Sequence, residues 1–197
     1  MIRDPRDVII SGYLYHKHCE EKWCTNRPDE NIASIGFPQI PHSQHARTAK
    51  WKAEYLRSLG GSSYQETINS LDQEDGIIFE MCNYGRWTTE AMRDWDYSNS
   101  RIKELKFEDI MGDFMGSFEQ VFLHYGFPVS VTQGMLELVV EENITNLSDI
   151  DISESSHIHS RQTTKWKEYF SSRHKNLFKE MFGNVLIDLG YEKDNNW

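Results

Sequence analysis

The residues best placed to do chemistry stand at the start of the chain, in the stretch Met1-Ile2-Arg3-Asp4-Pro5-Arg6-Asp7-Val8-Ile9-Ile10-Ser11. Asp4-Pro5 is a helix-start signature. Asp4 can accept backbone N–H groups as N-cap, and Pro5 then sits at the first helical position, where its missing N–H costs nothing. Asp7 adds negative charge to the first turn, favourable against the helix dipole. A helix N-terminus attracts anions. Arg3, just before it, offers the forked donor that suits phosphate, and Ser11, about two turns inside, offers a hydroxyl. The plainer reading of the same residues is a capped helix with a surface arginine and a helical serine.

Other chemistry-bearing residues form weaker patterns. His16 and His18 would point about 200° apart on a helix and cannot share one ion there. Cys19 and Cys24 follow no common zinc spacing, so no metal is expected. His42, His45, His157 and His159 fall in stretches that read as loops. Any of them could act as a base, but nothing singles one out, and the catalytic residue stays unassigned.

Two later stretches complete a pattern. One is Leu105-Lys106-Phe107-Glu108-Asp109 with the helical run that ends at Tyr125-Gly126-Phe127-Pro128. The other runs over residues 160–192, from Ser160-Arg161-Gln162 through Trp166-Lys167 to Leu189-Gly190-Tyr191. Taken with Arg3 and Ser11, eight residues apart around Asp-Pro, they resemble the sulfotransferases that use 3′-phosphoadenosine 5′-phosphosulfate (PAPS). The segments match in the family's order. The resemblance implies that Arg3 and Ser11 bind the 3′-phosphate of PAPS. It also implies that Arg161 belongs to the basic loop over that phosphate, although Thr163-Thr164 replaces the family's glycine there. Phe107 stands where the family has a tyrosine near the adenine. A phenylalanine ring can stack there but has no hydroxyl to donate, and core packing is its other role. Trp166 reads as an anchor that fixes the loop, and Glu108-Asp109 as structural.

The resemblance further implies an enzyme that moves a sulfuryl group from PAPS to the hydroxyl or amine of a small-molecule or glycan acceptor. The fold implied is α/β: the three-layer, P-loop-like sulfotransferase fold, here as a helix-rich C-terminal portion with few parallel strands. The family's Pro-Lys-Ser-Gly-Thr-like phosphosulfate loop and its usual base precede the arginine, and neither stands in this sequence. Gly60-Gly61-Ser62-Ser63 lacks the lysine such a loop needs. The expectation is one sulfotransferase domain over residues 1–197, N-terminally truncated, which carries the 3′-phosphate-binding part and is inactive alone. The alternative is a non-catalytic truncated paralogue or interaction module.

Composition agrees with a folded domain. The 197 residues are 38% hydrophobic and 13% aromatic, enough for one core. No run approaches the roughly 20 apolar residues of a membrane span. The net charge of −10 disfavours nucleic acid and anionic membranes as partners, though Arg3, Arg6 and Arg161 could gather locally around an anion. Three cysteines suit a reducing compartment, and a cytoplasmic location is expected.

The elements that must position these residues follow from periodicity and caps. A first helix is expected from Pro5 to Cys19, then an irregular stretch over 25–47 and a short helix over Lys50–Leu59. Ser63 and Glu66 form a capping box for a helix through Leu71. Asp72–Trp95 carries one long apolar stripe. A strand is expected over 101–107, then helices Phe114–Tyr125, closed by Gly126, and Val129–Glu142, capped by Ser130 or Thr132. A polar loop covers 143–165, and Lys175–Leu189 ends at Gly190. Trp23, Trp51, Tyr55, Tyr64 and Trp87, in the variable stretch 19–100, could line an acceptor pocket or fill a core.

Overall fold

A computed structural model of the chain describes residues 1–27, 54–55, 57–143, 146–148 and 162–197. It divides into two compact units: Met1–Asp4 with Asp96–Lys165, and Pro5–Trp95 with Trp166–Trp197. The expected irregular stretch from 28 onward, Trp51, and the four loop histidines lie outside the described residues.

The second unit is helical. Its helices are α1 (Pro5–His16), α2 (Lys22–Thr25), α3 (Tyr64–Ser70), α4 (Gln73–Cys82) and α5 (Tyr84–Arg93), followed by α9 (Trp166–Tyr169), α10 (Ser172–Phe182) and α11 (Val185–Asp188). Ile9, Ile10 and Tyr13 of α1 are buried together with Ile68, Ile77, Met81, Phe178 and Leu186. Helix α1 packs against α4 and α5 closely enough that a side chain would clash at Gly12, Gly76 and Gly85. A Cβ on Gly12 would overlap Glu80 Oε1, and one on Gly85 would come within 2.9 Å of Ile9 Cγ1. The expected capping box is present: Ser63 Oγ accepts from the Glu66 N–H at 3.1 Å, and Glu66 accepts from the Ser63 N–H at 2.9 Å.

Two long helices expected from the apolar pattern are each broken. Asp72–Trp95 splits at Asn83, whose φ and ψ are −118° and −102°. The side chain of Asn83 competes with the helix backbone: its amide donates to Phe79 O at 2.7 Å, and its oxygen accepts from Tyr55 at 2.9 Å. Lys175–Leu189 splits at Gly183, whose φ of 56° ends α10. Gly190, at φ 71°, closes α11 as expected, with the Tyr191 N–H returning to Leu186 O at 2.7 Å. Helix α1 stops at His16 rather than Cys19.

Helix α10 is clamped onto the first turn of α4 by one imidazole. His174 Nδ1 accepts from the Ser171 N–H at 2.9 Å, so its Nε2 carries the hydrogen that goes to Glu74 O, also at 2.9 Å.

The first unit holds α6 (Phe107–Gly112), α7 (Phe114–His124) and α8 (Val129–Val139), the last continued by a 3-10 turn over Val140–Glu142. The strand expected over 101–107 is not formed. Among the described residues the parallel pairing is a single bridge, Ile2 with Lys106. The reasons are local. Asn99 takes the Arg101 and Ile102 N–H groups at 3.1 and 3.0 Å and holds that end in a turn. At the other end Glu108 and Asp109 favour a helix start at Phe107. The expected cap of α8 is also displaced: the helix begins directly after Pro128, and Thr132 lies inside it with its hydroxyl donating to Pro128 O at 3.2 Å. Phe114, Phe118 and Phe122 stack along one face of α7 at helical spacing. Leu123, Tyr125, Phe127, Val129 and Val131 stay exposed around the α7–α8 turn, and Leu138 near the end of α8.

Candidate functional site

In the first unit, residues 1–4 are zipped to residues 105–108. The Ile2 N–H donates to Leu105 O, and the Phe107 N–H donates to Ile2 O, both at 2.8 Å. One residue on, the Asp4 N–H donates to Glu108 Oε1 at 2.9 Å, which is the structural part expected of Glu108. This register sets Arg3 beside Phe107: the guanidinium carbon lies 4.7 Å from the ring centroid. Arg3 Nη2 also donates to Gln162 O at 3.3 Å. Two of the four residues singled out for the nucleotide, Arg3 and Phe107, are therefore in contact. Gln162, which no sequence signal marks, contributes through its backbone.

Ser11 belongs to the second unit, half-buried on α1. Arg161 lies outside the described residues. The first turn of α1 is otherwise engaged. Arg6 is 2% exposed and donates to Glu192 Oε1 at 2.6 Å. Its guanidinium lies 3.7 Å from the ring centre of Trp166 and 4.6 Å from that of Trp197. Arg6 is thus committed to Glu192 and two indoles, and it does not join a solvent-facing cationic patch. Asp7, read from sequence as a dipole charge, is buried, and its Oδ1 accepts from the Trp166 N–H at 2.9 Å. Trp166 is accordingly the buried anchor that was expected.

A second buried polar group lies in the same unit. Glu80 Oε2 accepts from Tyr64 at 2.8 Å and meets His16 Nδ1 at 2.8 Å, while Oε1 has no hydrogen-bond partner. Burial first, and then the Glu80 charge, push the Tyr64 hydroxyl well above its ordinary range. Tyr64 therefore stays protonated and donates. Trp23, Tyr64 and Tyr84 surround the His16 ring. Trp23, Tyr64 and Trp87 are buried in this core. Among the described residues no three His, Cys, Asp or Glu side chains gather to hold a metal ion, and no helix is long and apolar enough to cross a membrane.

Comparison with protein families decides what this frame belongs to. The model of the sulfotransferase domain matches residues 1–190. The chain is a member of the sulfotransferase family. Comparison with curated proteins and with solved structures yields no match. Membership carries sulfuryl transfer as the general activity and the P-loop-like α/β fold as the family architecture. The helix-rich character of the described residues is compatible with it.

Proposed function

We propose that this sulfotransferase chain binds PAPS through its 3′-phosphate, with Arg3 and Ser11 as ligands, Arg161 as a second cation and Phe107 beside the adenine. The observation that carries the reading is the zipped register of residues 1–4 on 105–108, which brings the arginine expected at the phosphate into contact with the ring expected at the base. Ser11 lies on the helix that Arg3 precedes, at the spacing the family uses. Charge-assisted hydrogen bonds from a guanidinium are the stronger part of such recognition, and the hydroxyl adds a neutral donor.

In the reaction the sulfuryl group passes in line from PAPS to an acceptor hydroxyl or amine of a small molecule or glycan. Donors aimed at the charge of the transition state and a base for the acceptor proton supply the rate. No phosphosulfate loop stands in these 197 residues, so the reading assigns them the nucleotide end only. The chain by itself is expected to bind adenosine 3′,5′-bisphosphate without transferring sulfate.

Titration calorimetry with adenosine 3′,5′-bisphosphate tests this. Loss of one charged hydrogen-bonding partner is worth about 1.5–3 kcal/mol, so Arg3→Ala should weaken binding by roughly ten- to a hundredfold. Ser11→Ala should weaken it by about two- to tenfold. Wild-type binding that neither variant changes would exclude the assignment. A second reading, an interaction module without nucleotide, draws on the exposed apolar residues of the α7–α8 turn. Absence of any bisphosphate binding would favour it.

A further inference from the structure

An arginine side chain carries large rotamer freedom, and a site that holds the guanidinium in place before the ligand arrives lowers the cost of binding. In the first unit the backbone bonds of Ile2 with Leu105 and Phe107 set the two chains in register. The bond from Asp4 to Glu108 closes the register one residue further on. Between these bonds, the Arg3 guanidinium lies 4.7 Å from the Phe107 ring centroid. The face of an aromatic ring is electron-rich and attracts a cation at this distance. Phe107 begins α6, so its ring stands on a helix start pinned by the same backbone bonds.

From this geometry we infer that Phe107 is a positioning residue for Arg3: its ring holds the guanidinium ready for the 3′-phosphate, and so contributes to reading that phosphate independently of the base. The inference rests on the proposed nucleotide site and deepens it. A ring that only stacks on adenine strengthens every adenine nucleotide alike. A ring that acts through Arg3 strengthens only those with a 3′-phosphate.

The discriminating quantity is the ratio of affinities for adenosine 3′,5′-bisphosphate and adenosine 5′-phosphate, in which any stacking on the base cancels. Phe107→Leu should lower this ratio by about two- to fivefold, the range of a partly exposed cation–π contact. In an Arg3→Ala background, Phe107→Leu should leave the ratio unchanged. Replacement of Phe107 by pentafluorophenylalanine keeps the ring's shape and packing but removes its electron-rich face. It should lower the ratio as leucine does, whereas Phe107→Trp should keep it. If Phe107→Leu and the fluorinated ring weaken both nucleotides equally, the ring is a base platform and the inference is overturned. A wild-type ratio near one would instead overturn the nucleotide reading itself, and the inference with it.

Discussion

Replacing Glu80 by alanine tests how the second unit is held together. Glu80 is 0% exposed and serves His16 and Tyr64 with one oxygen, each at 2.8 Å. Its removal strands the His16 Nδ1 and the Tyr64 hydroxyl in the core. Each unsatisfied buried group costs about 1–3 kcal/mol, and two are left. A loss of about 4 kcal/mol is expected. Against the roughly 5–15 kcal/mol of a typical domain, that removes a quarter or more of the stability. Urea unfolding followed by tryptophan fluorescence reads it directly, since Trp23 and Trp87 are both buried here. A cycle with Tyr64→Phe sharpens the test. Tyr64→Phe alone should cost about 1 kcal/mol, and in the Glu80→Ala background it should be neutral or stabilising, because the stranded hydroxyl is gone. A cost below about 1 kcal/mol for Glu80→Ala, or strictly additive effects, would refute the reasoning.

Gly12→Ala gains about 1 kcal/mol of helix propensity in principle, yet it should destabilise the protein, because the new methyl overlaps Glu80 Oε1; the midpoint of urea unfolding checks the sign. Arg6→Lys keeps the charge but loses the guanidinium's contact with the rings of Trp166 and Trp197. It should lower the melting temperature and change the tryptophan emission, whereas an unchanged spectrum would contradict the contact. The Glu66 carboxyl is held down at about 2, against its ordinary 4.5, chiefly by its hydrogen bonds from Arg27. A folded-state value below the unfolded one adds stability that is complete above the unfolded value and lost as pH falls towards the folded one. Between about pH 5 and pH 2.5, wild type should therefore lose more stability than Arg27→Ala. Parallel losses would show that the pair contributes nothing.

Local chemistry was legible in the sequence where it needs few partners. The Ser63–Glu66 capping box, the Gly190 turn and the burial of Trp166 all follow from short patterns and are found. The pattern misleads where a side chain competes with the nearby backbone or finds its partner far along the chain. The apolar stripe over Asp72–Trp95 is real, but Asn83 breaks it by bonding to Phe79 and, from another segment, to Tyr55. The strand over 101–107 failed because the Asn99 turn and the acidic start of α6 act on it from both ends. At the candidate site, Arg3 and Phe107 were each marked by type and spacing, and their contact depends on strand-like pairing across some hundred residues. By sequence alone Arg6 is available to an anion. Its commitment to Glu192 and Trp197 involves residues at the far end of the sequence, which no local pattern announces.

The most direct measurement is calorimetric titration of the unaltered 197-residue chain with adenosine 3′,5′-bisphosphate and, separately, adenosine 5′-phosphate. The bisphosphate should bind at least about tenfold more tightly, the worth of one charge-assisted contact. Equal affinities, or heat from neither ligand, would contradict a site built around Arg3 and Ser11.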